Sequence, residues 1–163
     1  AWGGGDSLSM PIAYVYDSSV YIVDVVFDKG DKKVTKPRVI GKILSHKCNS
    51  GRMEANNGGD EYADDVSRIL KEEYGYTCAV THKKAPTTMN KLTRIEQYVP
   101  DIKEFYFLSP KKQNDEYRRF FDEVTTFSFT TKNLHDDAPD SLAMLADYLQ
   151  HKNLSAKAFK RPF

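Results

Sequence analysis

The alternation of strand-like and helix-like segments is the feature that most constrains how this chain can fold. Residues 10–16 and 20–27 are rich in β-branched and aromatic side chains, and the short polar stretch 17–19 separates them, which predicts a hairpin. Helical and strand patterns then alternate over the rest of the chain. Strands that alternate with helices after a hairpin predict an α/β fold with a mixed sheet.

Helix boundaries are predicted from capping residues and from the 3.6-residue period. We expect Thr35 to cap a helix with Pro37 in its first turn, Asp60 to cap a helix that ends at Gly75, and Asn114 to cap a third. The other predicted segments are helices over 91–98 and from about 137 to 149, strands over 52–55, 77–81 and 105–108, a loop over 83–90, and an extended or loop segment over 127–133.

One domain over residues 1–150 and a loosely held basic tail over 151–163 account for the 163 residues. No apolar run reaches the length of a membrane span, and the start of the sequence shows no signal peptide. The two cysteines, Cys48 and Cys78, form no CxxC pair. We therefore expect an intracellular protein that is not secreted and has no membrane contact. Nothing in the sequence suggests a dimer, so the isolated domain is expected to be monomeric.

Charge is unevenly distributed although the formal net charge is only +1. Residues 29–52 contain eight basic side chains against one acid, and residues 79–95 contain Lys83, Lys84, Lys91 and Arg94 with no acid. A neutral protein with segregated charge of this kind can bind a polyanion on one face. The alternative interpretation, a solvated basic surface, stays open.

Carboxylates crowd the predicted start of the last helix. His135, Asp136, Asp137 and Asp140 precede an apolar stripe of Leu142, Leu145, Ala146 and Leu149. A helix cap needs only one acid, and acids at a helix N-terminus also complement its dipole. Because the surplus carboxylates repel one another, they require a positive partner, and a divalent cation is the expected one.

Two other segments also place acids at the ends of predicted elements. Glu54 ends a short strand before an Asn-Asn-Gly-Gly turn, and Asp6 follows three glycines beside the first strand. Carboxylates from three segments are typical of a two-metal phosphoryl-transfer site, and their oxygens suit Mg²⁺ or Mn²⁺. The cysteines and histidines lack zinc-finger spacing, and the sequence contains neither a Walker A motif nor a G-x-S-x-G motif.

Four motifs in this order resemble the C-terminal nuclease domain of the terminase large subunit, the DNA-packaging motor of tailed bacteriophages. They are WGGGDS at 2–7, MEANNGG at 53–59, KLTRI at 91–95 and HDDAPDSLA at 135–143. The resemblance extends to about Leu149 and implies an RNase H-like fold, with a mixed central sheet flanked by helices. It also implies Mg²⁺- or Mn²⁺-dependent endonucleolytic cleavage of concatemeric viral double-stranded DNA during genome packaging.

The resemblance further implies roles for individual residues. Glu54 and Asp137 match the second and third acids of the family's catalytic triad, His135 matches a histidine near the metals, and Asp6 matches an auxiliary aspartate. Asp136 and Asp140 would support the metal ligands. The DNA phosphates would be held, without reading of base sequence, by Lys83, Lys84, Lys91 and Arg94. In the family the first acid lies on a strand just before the WGGGD loop, whereas the printed sequence begins at Ala1. We therefore expect this chain alone to bind metal weakly and to cleave poorly.

The expected partners are double-stranded DNA, the family's ATPase domain, the portal protein and the small terminase subunit, in the cytoplasm of the infected host. Two alternatives stay open, because a fold does not determine a function. One is a non-catalytic DNA-binding or docking module on an RNase H-like scaffold, and the other is a resolvase-type nuclease.

Overall fold

The computed structural model of the chain describes residues 7–85, 89–133 and 135–158, which form an α/β fold. These residues contain five strands, five α-helices and two short 3-10 helices. The strands are β1 (Leu8–Tyr16), β2 (Ser19–Asp28), β3 (Ser50–Glu54), β4 (Ala79–Lys83) and β5 (Tyr106–Phe107). The α-helices are α1 (Lys32–Ser45), α2 (Gly59–Tyr74), α3 (Lys91–Lys103), α4 (Asp115–Thr126) and α5 (Asp137–Ala158).

The first two strands form the predicted hairpin. They pair antiparallel, and their two-residue turn holds Asp17 and Ser18 at φ 47° and 64°. Positive φ at both turn residues is the geometry that matches the twist of a two-residue hairpin. β5 adds to β2 in parallel, so the sheet has the order β1-β2-β5 and is mixed.

β3 and β4 form a second, parallel pair, connected by α2. Their register aligns Glu54 with Lys83 at the end of both strands. The predicted strands over 52–55 and 77–81 therefore exist with shifted ends, and Lys83 lies on a strand rather than in a loop. The connecting helix α2 begins shortly after β3 ends. The side chains at this end of the strand pair therefore lie beside the N-terminus of α2.

Two predicted helix caps are wrong. Asp31 caps α1 by accepting from the amides of Lys33 and Val34, and Thr35 lies buried in the helix with its hydroxyl donating to the carbonyl of Asp31. In α2 the N-cap is Gly58, at φ 80°, so Asp60 falls in the first turn. In both cases the earlier residue fits the turn that enters the helix.

The other helix boundaries differ less. Asn114 caps α4 and Gly75 ends α2, as predicted. α3 begins at Lys91 as predicted but continues through Pro100 to Lys103. α5 continues past Gln150 to Ala158, so the predicted boundary between domain and tail falls inside this helix.

The core lies on both sides of the strands. One cluster joins α1, α2 and β2 through residues such as Val39, Val66 and Leu70, and another joins β2 and α4 to α5 through Ile22, Phe120 and Leu142. A third cluster packs α3 on α5. Since α5 touches the second and third clusters, the start of this helix is fixed relative to both β2 and α3.

Among the described residues, no helix is both long enough and apolar enough to cross a membrane.

Candidate functional site

Glu54 is the last residue of β3, and the turn after it determines where its carboxylate lies. Asn56 donates to Glu54 Oε1 at 3.0 Å. Gly59, the first residue of α2, packs directly on the carbonyl of Glu54, because a Cβ at this position would lie 1.8 Å from that oxygen. The helix thus begins against the strand end, which leaves the Glu54 side chain beside α3 and α5.

The backbone amides in the first turn of α5 find hydrogen-bond acceptors partly outside the helix. The amide of Ala138 donates to Glu123 Oε1 of α4 at 2.9 Å, and the amide of Asp140 donates to the carbonyl oxygen of Asp136 at 3.1 Å. Glu123 therefore supplies a side-chain cap for α5. The carboxylates of the helix start remain available for other contacts.

Asp137 receives hydrogen bonds from two separate segments. The backbone amide of Ser7, just before β1, donates to Oδ2 at 2.8 Å, and Lys91 Nζ donates to Oδ1 at 3.1 Å. Its side chain is 13% exposed. Asp137 therefore joins the start of β1 to the starts of α3 and α5.

Lys91, the first residue of α3, lies among the carboxylates of the α5 start. Its ammonium is 2.6 Å from Asp136, 3.1 Å from Asp137 and 3.8 Å from Asp140. Burial by itself would lower the pKa of Lys91, but the hydrogen bond to Asp136 and the charges of Asp140 and Asp137 outweigh it and raise this pKa above its ordinary value. Lys91 is therefore a full cation at this site.

Arg94, one turn further along α3, binds Asp140 with two hydrogen bonds. Nε donates to Oδ1 at 2.8 Å and Nη2 donates to Oδ2 at 2.6 Å, while Nη2 also lies 3.3 Å from Glu54. Burial opposes the charge of Arg94, but the bonds to Asp140 and the charge of Glu54 raise its pKa. The guanidinium thus bridges the end of β3 and the start of α5.

A continuous chain of ion pairs consequently connects Glu54 with Asp137, through Arg94, Asp140 and Lys91. The sequence places Lys91 and Arg94 among the DNA-binding residues, but in this structure their charged groups contact carboxylates. For these two residues, the DNA-binding role stays a prediction.

The other predicted site residues lie at the surface or beyond the described ranges. Lys83 is half-exposed, and its Nζ is 3.4 Å from Asp147 of α5. Lys84 and His135 are exposed. Asp6 and the rest of the WGGGD motif lie outside the described residues.

The donor chemistry of the site suits a hard divalent cation, but the described geometry interposes side-chain cations. Carboxylate oxygens are the ligands that Mg²⁺ and Mn²⁺ prefer. Within residues 7–85, 89–133 and 135–158, however, no three His, Cys, Asp or Glu side chains are grouped so as to hold one metal ion. Lys91 and Arg94 lie between the carboxylates and balance part of their charge.

A cleft of about 690 Å³ separates β1 from β3 beside this site. Consecutive residues of both strands line it, 7–15 on one side and 49–54 on the other, with α5 residues such as Met144 and Leu145. In the described pairing, β1 bonds to β2 and β3 bonds to β4, so the facing edges of β1 and β3 border the cleft. β1 begins beside Asp137, and β3 ends beside Arg94. Because Asp137 and Arg94 belong to the same site, the two strands point in opposite directions.

Sequence reasoning missed the groups that hold the acids in place. The Ser7 amide, Glu123 and Asn56 lie far from the acidic motif in sequence, and no local pattern marks them. The sequence did contain a signal for the shared role of Lys91 and Arg94. Residues three apart on a helix lie on the same face, so both cations had to face the same neighbouring surface. The acidic motif, with its surplus of negative charge, was an available partner.

A scan against models of protein families finds none that matches this chain, and a search of curated proteins finds no significant relative.

Proposed function

We propose that this protein is a Mg²⁺- or Mn²⁺-dependent endonuclease that cleaves concatemeric viral double-stranded DNA, of the kind found in the large terminase subunit of tailed bacteriophages. The observation that carries the proposal is the convergence of Glu54, Asp136, Asp137 and Asp140 on one end of the fold, from two separate elements. The resemblance of the four sequence motifs supplies the reaction and the substrate.

The contacts at the α5 start favour a functional role for these acids over a capping role. Glu123 caps the helix by accepting from Ala138. Asp137 bonds to a strand start and to α3 instead, and it does so from a site that is nearly closed to solvent. Holding several carboxylates close together is unfavourable unless cations are present, which is the electrostatic condition of a metal site.

The cleft between β1 and β3 supports an RNase H-like central sheet. Because these strands point in opposite directions, one inserted strand that is antiparallel to β1 is parallel to β3, and it ends beside Glu54 and Asp137. Such a strand would join β5-β2-β1 and β3-β4 into one mixed sheet. The resemblance places the family's first strand, with its first acid, immediately before the WGGGD motif, which precedes β1 in the sequence.

The residues would divide the work of phosphodiester hydrolysis as follows. Glu54 and Asp137 would hold the cations, with Asp136, Asp140 and Asp6 in support, and His135 would orient a ligand or carry a proton. When bound, divalent cations would lower the pKa of the attacking water and stabilise the leaving oxygen. Arg94 fixes the positions of Glu54 and Asp140, and Lys83 and Lys84 contact DNA phosphates.

A cleavage assay with Asp137→Asn tests the proposal. In a form of the protein extended before Ala1, Mg²⁺ or Mn²⁺ should support nicking and linearisation of plasmid DNA with little sequence preference, and EDTA should abolish it. Asp137→Asn keeps the side-chain shape and its bond to the Ser7 amide but removes the charge that holds the metal. The rate should fall at least about 100-fold, the scale of losing a catalytic electrostatic group, as measured by gel quantification of the products.

The control is circular dichroism and thermal unfolding of the same variant, which should show a native fold. If folded Asp137→Asn protein cleaves at the wild-type rate, the acidic helix start is not the catalytic centre. Cleavage that persists in EDTA would contradict metal dependence.

A non-catalytic DNA-binding module is the second candidate function. The observation that favours it is the neutralisation of the acids by Lys91 and Arg94, which resembles a structural ion-pair network. This alternative predicts salt-dependent duplex binding by the extended protein without any cleavage in Mn²⁺. The assay above therefore separates the two functions. For the endonuclease function, we propose that this protein acts in the host cytoplasm with the ATPase domain, the portal protein and the small terminase subunit as partners.

A further inference from the structure

Lys91 and Arg94 lie one turn apart on α3 but hold the acidic site in different ways. Arg94 makes a planar, two-pronged contact with Asp140, and its side chain is only 13% exposed. Lys91 presents a single ammonium to Asp136 and Asp137, and its side chain is 37% exposed. A guanidinium fork fixes the geometry of its partner, whereas an ammonium on a flexible stem is a point charge that can move.

The position of Lys91 therefore permits exchange. Its stem lies at the rim of the site, and Asp136, its nearest partner, is 42% exposed. Withdrawal of the ammonium into water leaves the Arg94–Asp140 pair and the bond from the Ser7 amide to Asp137 in place. The carboxylates would thus keep their positions when Lys91 leaves.

Charge makes the exchange selective for a divalent ion. Lys91 and Arg94 supply two positive charges to the four carboxylates of Glu54, Asp136, Asp137 and Asp140, which leaves two negative charges unbalanced. If Lys91 departs, the unbalanced charge becomes larger, and oxygens of Asp136 and Asp137 lose their donor. A divalent cation compensates both effects better than any monovalent one.

We propose that Lys91 is an exchangeable counter-cation of this site: its ammonium holds Asp136 and Asp137 in the metal-free protein and moves to solvent when Mg²⁺ or Mn²⁺ binds. This inference rests on the proposed metal-dependent function and extends it by assigning Lys91 to metal exchange. In this role Lys91 balances the charge of Asp136 and Asp137 until the metal arrives.

Calorimetric titration of Mn²⁺ into the form of the protein extended before Ala1, as wild type and as Lys91→Met, tests the exchange directly. The methionine keeps most of the stem and removes the competing charge. Its Mn²⁺ affinity should rise at least about tenfold, the scale on which one adjacent charge shifts an ionic equilibrium. If Lys91 instead helped to bind the metal by ordering one of its ligands, the Mn²⁺ affinity of Lys91→Met would fall.

Thermal unfolding gives a second readout that does not depend on catalysis. In EDTA, Lys91→Met should unfold at a lower temperature than wild type, because the carboxylates lose their counter-charge, and saturating Mn²⁺ should restore most of the difference. Lys36→Met is the matched control, since Lys36 forms a 2.5 Å ion pair with Asp65 between α1 and α2. Its loss of stability should not respond to Mn²⁺.

The outcomes separate this inference from the function on which it rests. Equal or weaker Mn²⁺ affinity in Lys91→Met, with wild-type binding that Asp137→Asn abolishes, would overturn the exchange role and leave the metal site standing. Absence of Mn²⁺ binding in wild type and in both variants, each shown to be folded, would overturn both.

Discussion

Arg94 shows how one side chain can determine the geometry of a whole site. It contacts an acid from β3 and an acid from α5, and it is almost closed to solvent. Removing one partner of a buried ion pair is costly because the other charge stays buried and uncompensated. The arrangement of Glu54 and Asp140 therefore depends on this guanidinium as much as on the backbone.

Arg94→Met should lower the free energy of unfolding by about 3–5 kcal/mol, since Asp140 loses both hydrogen bonds inside the protein. Urea denaturation measures the change. Arg68→Met is the control: Arg68 is 53% exposed and pairs with Asp65 and Glu72 along the surface of α2. Its effect should stay within about 1 kcal/mol. A similar small loss for Arg94→Met would show that the pair contributes little to the fold.

At the scale of elements, the junction between β3 and α2 determines where Glu54 lies. The backbone of α2 begins so close to the strand end that no side chain fits between them. Gly58, at φ 80°, makes the turn that brings the two elements together. A glycine pair at this junction thus has a specific steric purpose, which the sequence motif MEANNGG shows only as a turn.

Gly59→Ala should destabilise the protein by about 3 kcal/mol, the upper end of the cost of overpacking, because its Cβ would lie 1.8 Å from the backbone oxygen of Glu54. Gly41→Ala is the contrasting substitution. Gly41 lies within α1 with no atom within 4 Å of an added Cβ, so alanine should stabilise the helix by about 0.5–1 kcal/mol. Thermal unfolding of both variants checks the pair. A tolerated Gly59→Ala would show that the junction can open without loss.

At the scale of the whole molecule, the acids of the site lie near the same end of the β3–β4 pair as the exposed Lys83 and Lys84. Glu54 and Lys83 are register partners at the ends of these strands, and Lys84 follows immediately. A duplex whose backbone follows the exposed lysines would pass close to the carboxylates. Lys111 and Lys112 lie after β5, on the far side of β2 from the cleft, and are also exposed.

The double variant Lys83→Ala/Lys84→Ala should weaken duplex binding equally for all sequences. The slope of log affinity against log salt should become shallower by about 0.9 for each DNA phosphate that the variant no longer neutralises. Fluorescence anisotropy at several salt concentrations measures both quantities. Lys111→Ala/Lys112→Ala removes the same charge at the opposite edge and should change neither by as much. If both double variants behave alike, DNA attraction comes from net charge alone.

The sequence by itself determined the class of fold and most of its elements. Local composition defined the β1–β2 hairpin, the 3.6-residue period defined α4, and Gly75 and Asn114 marked helix boundaries, because these signals act over a few residues. The cap of α1 at Asp31 was missed because Asp31 and Thr35, one helical turn apart, both offer capping groups, and only the path of the chain selects between them.

Tertiary structure alone decided what the charged residues contact. The sequence shows the acids at the α5 start, and their charge requires a positive partner. The sequence could not show that Lys91 and Arg94 reach these acids from α3. Their contacts span more than forty residues and depend on how α3 packs on α5. The same holds for the cleft between β1 and β3, since the facing of two strand edges is a property of the assembled sheet and not of either strand.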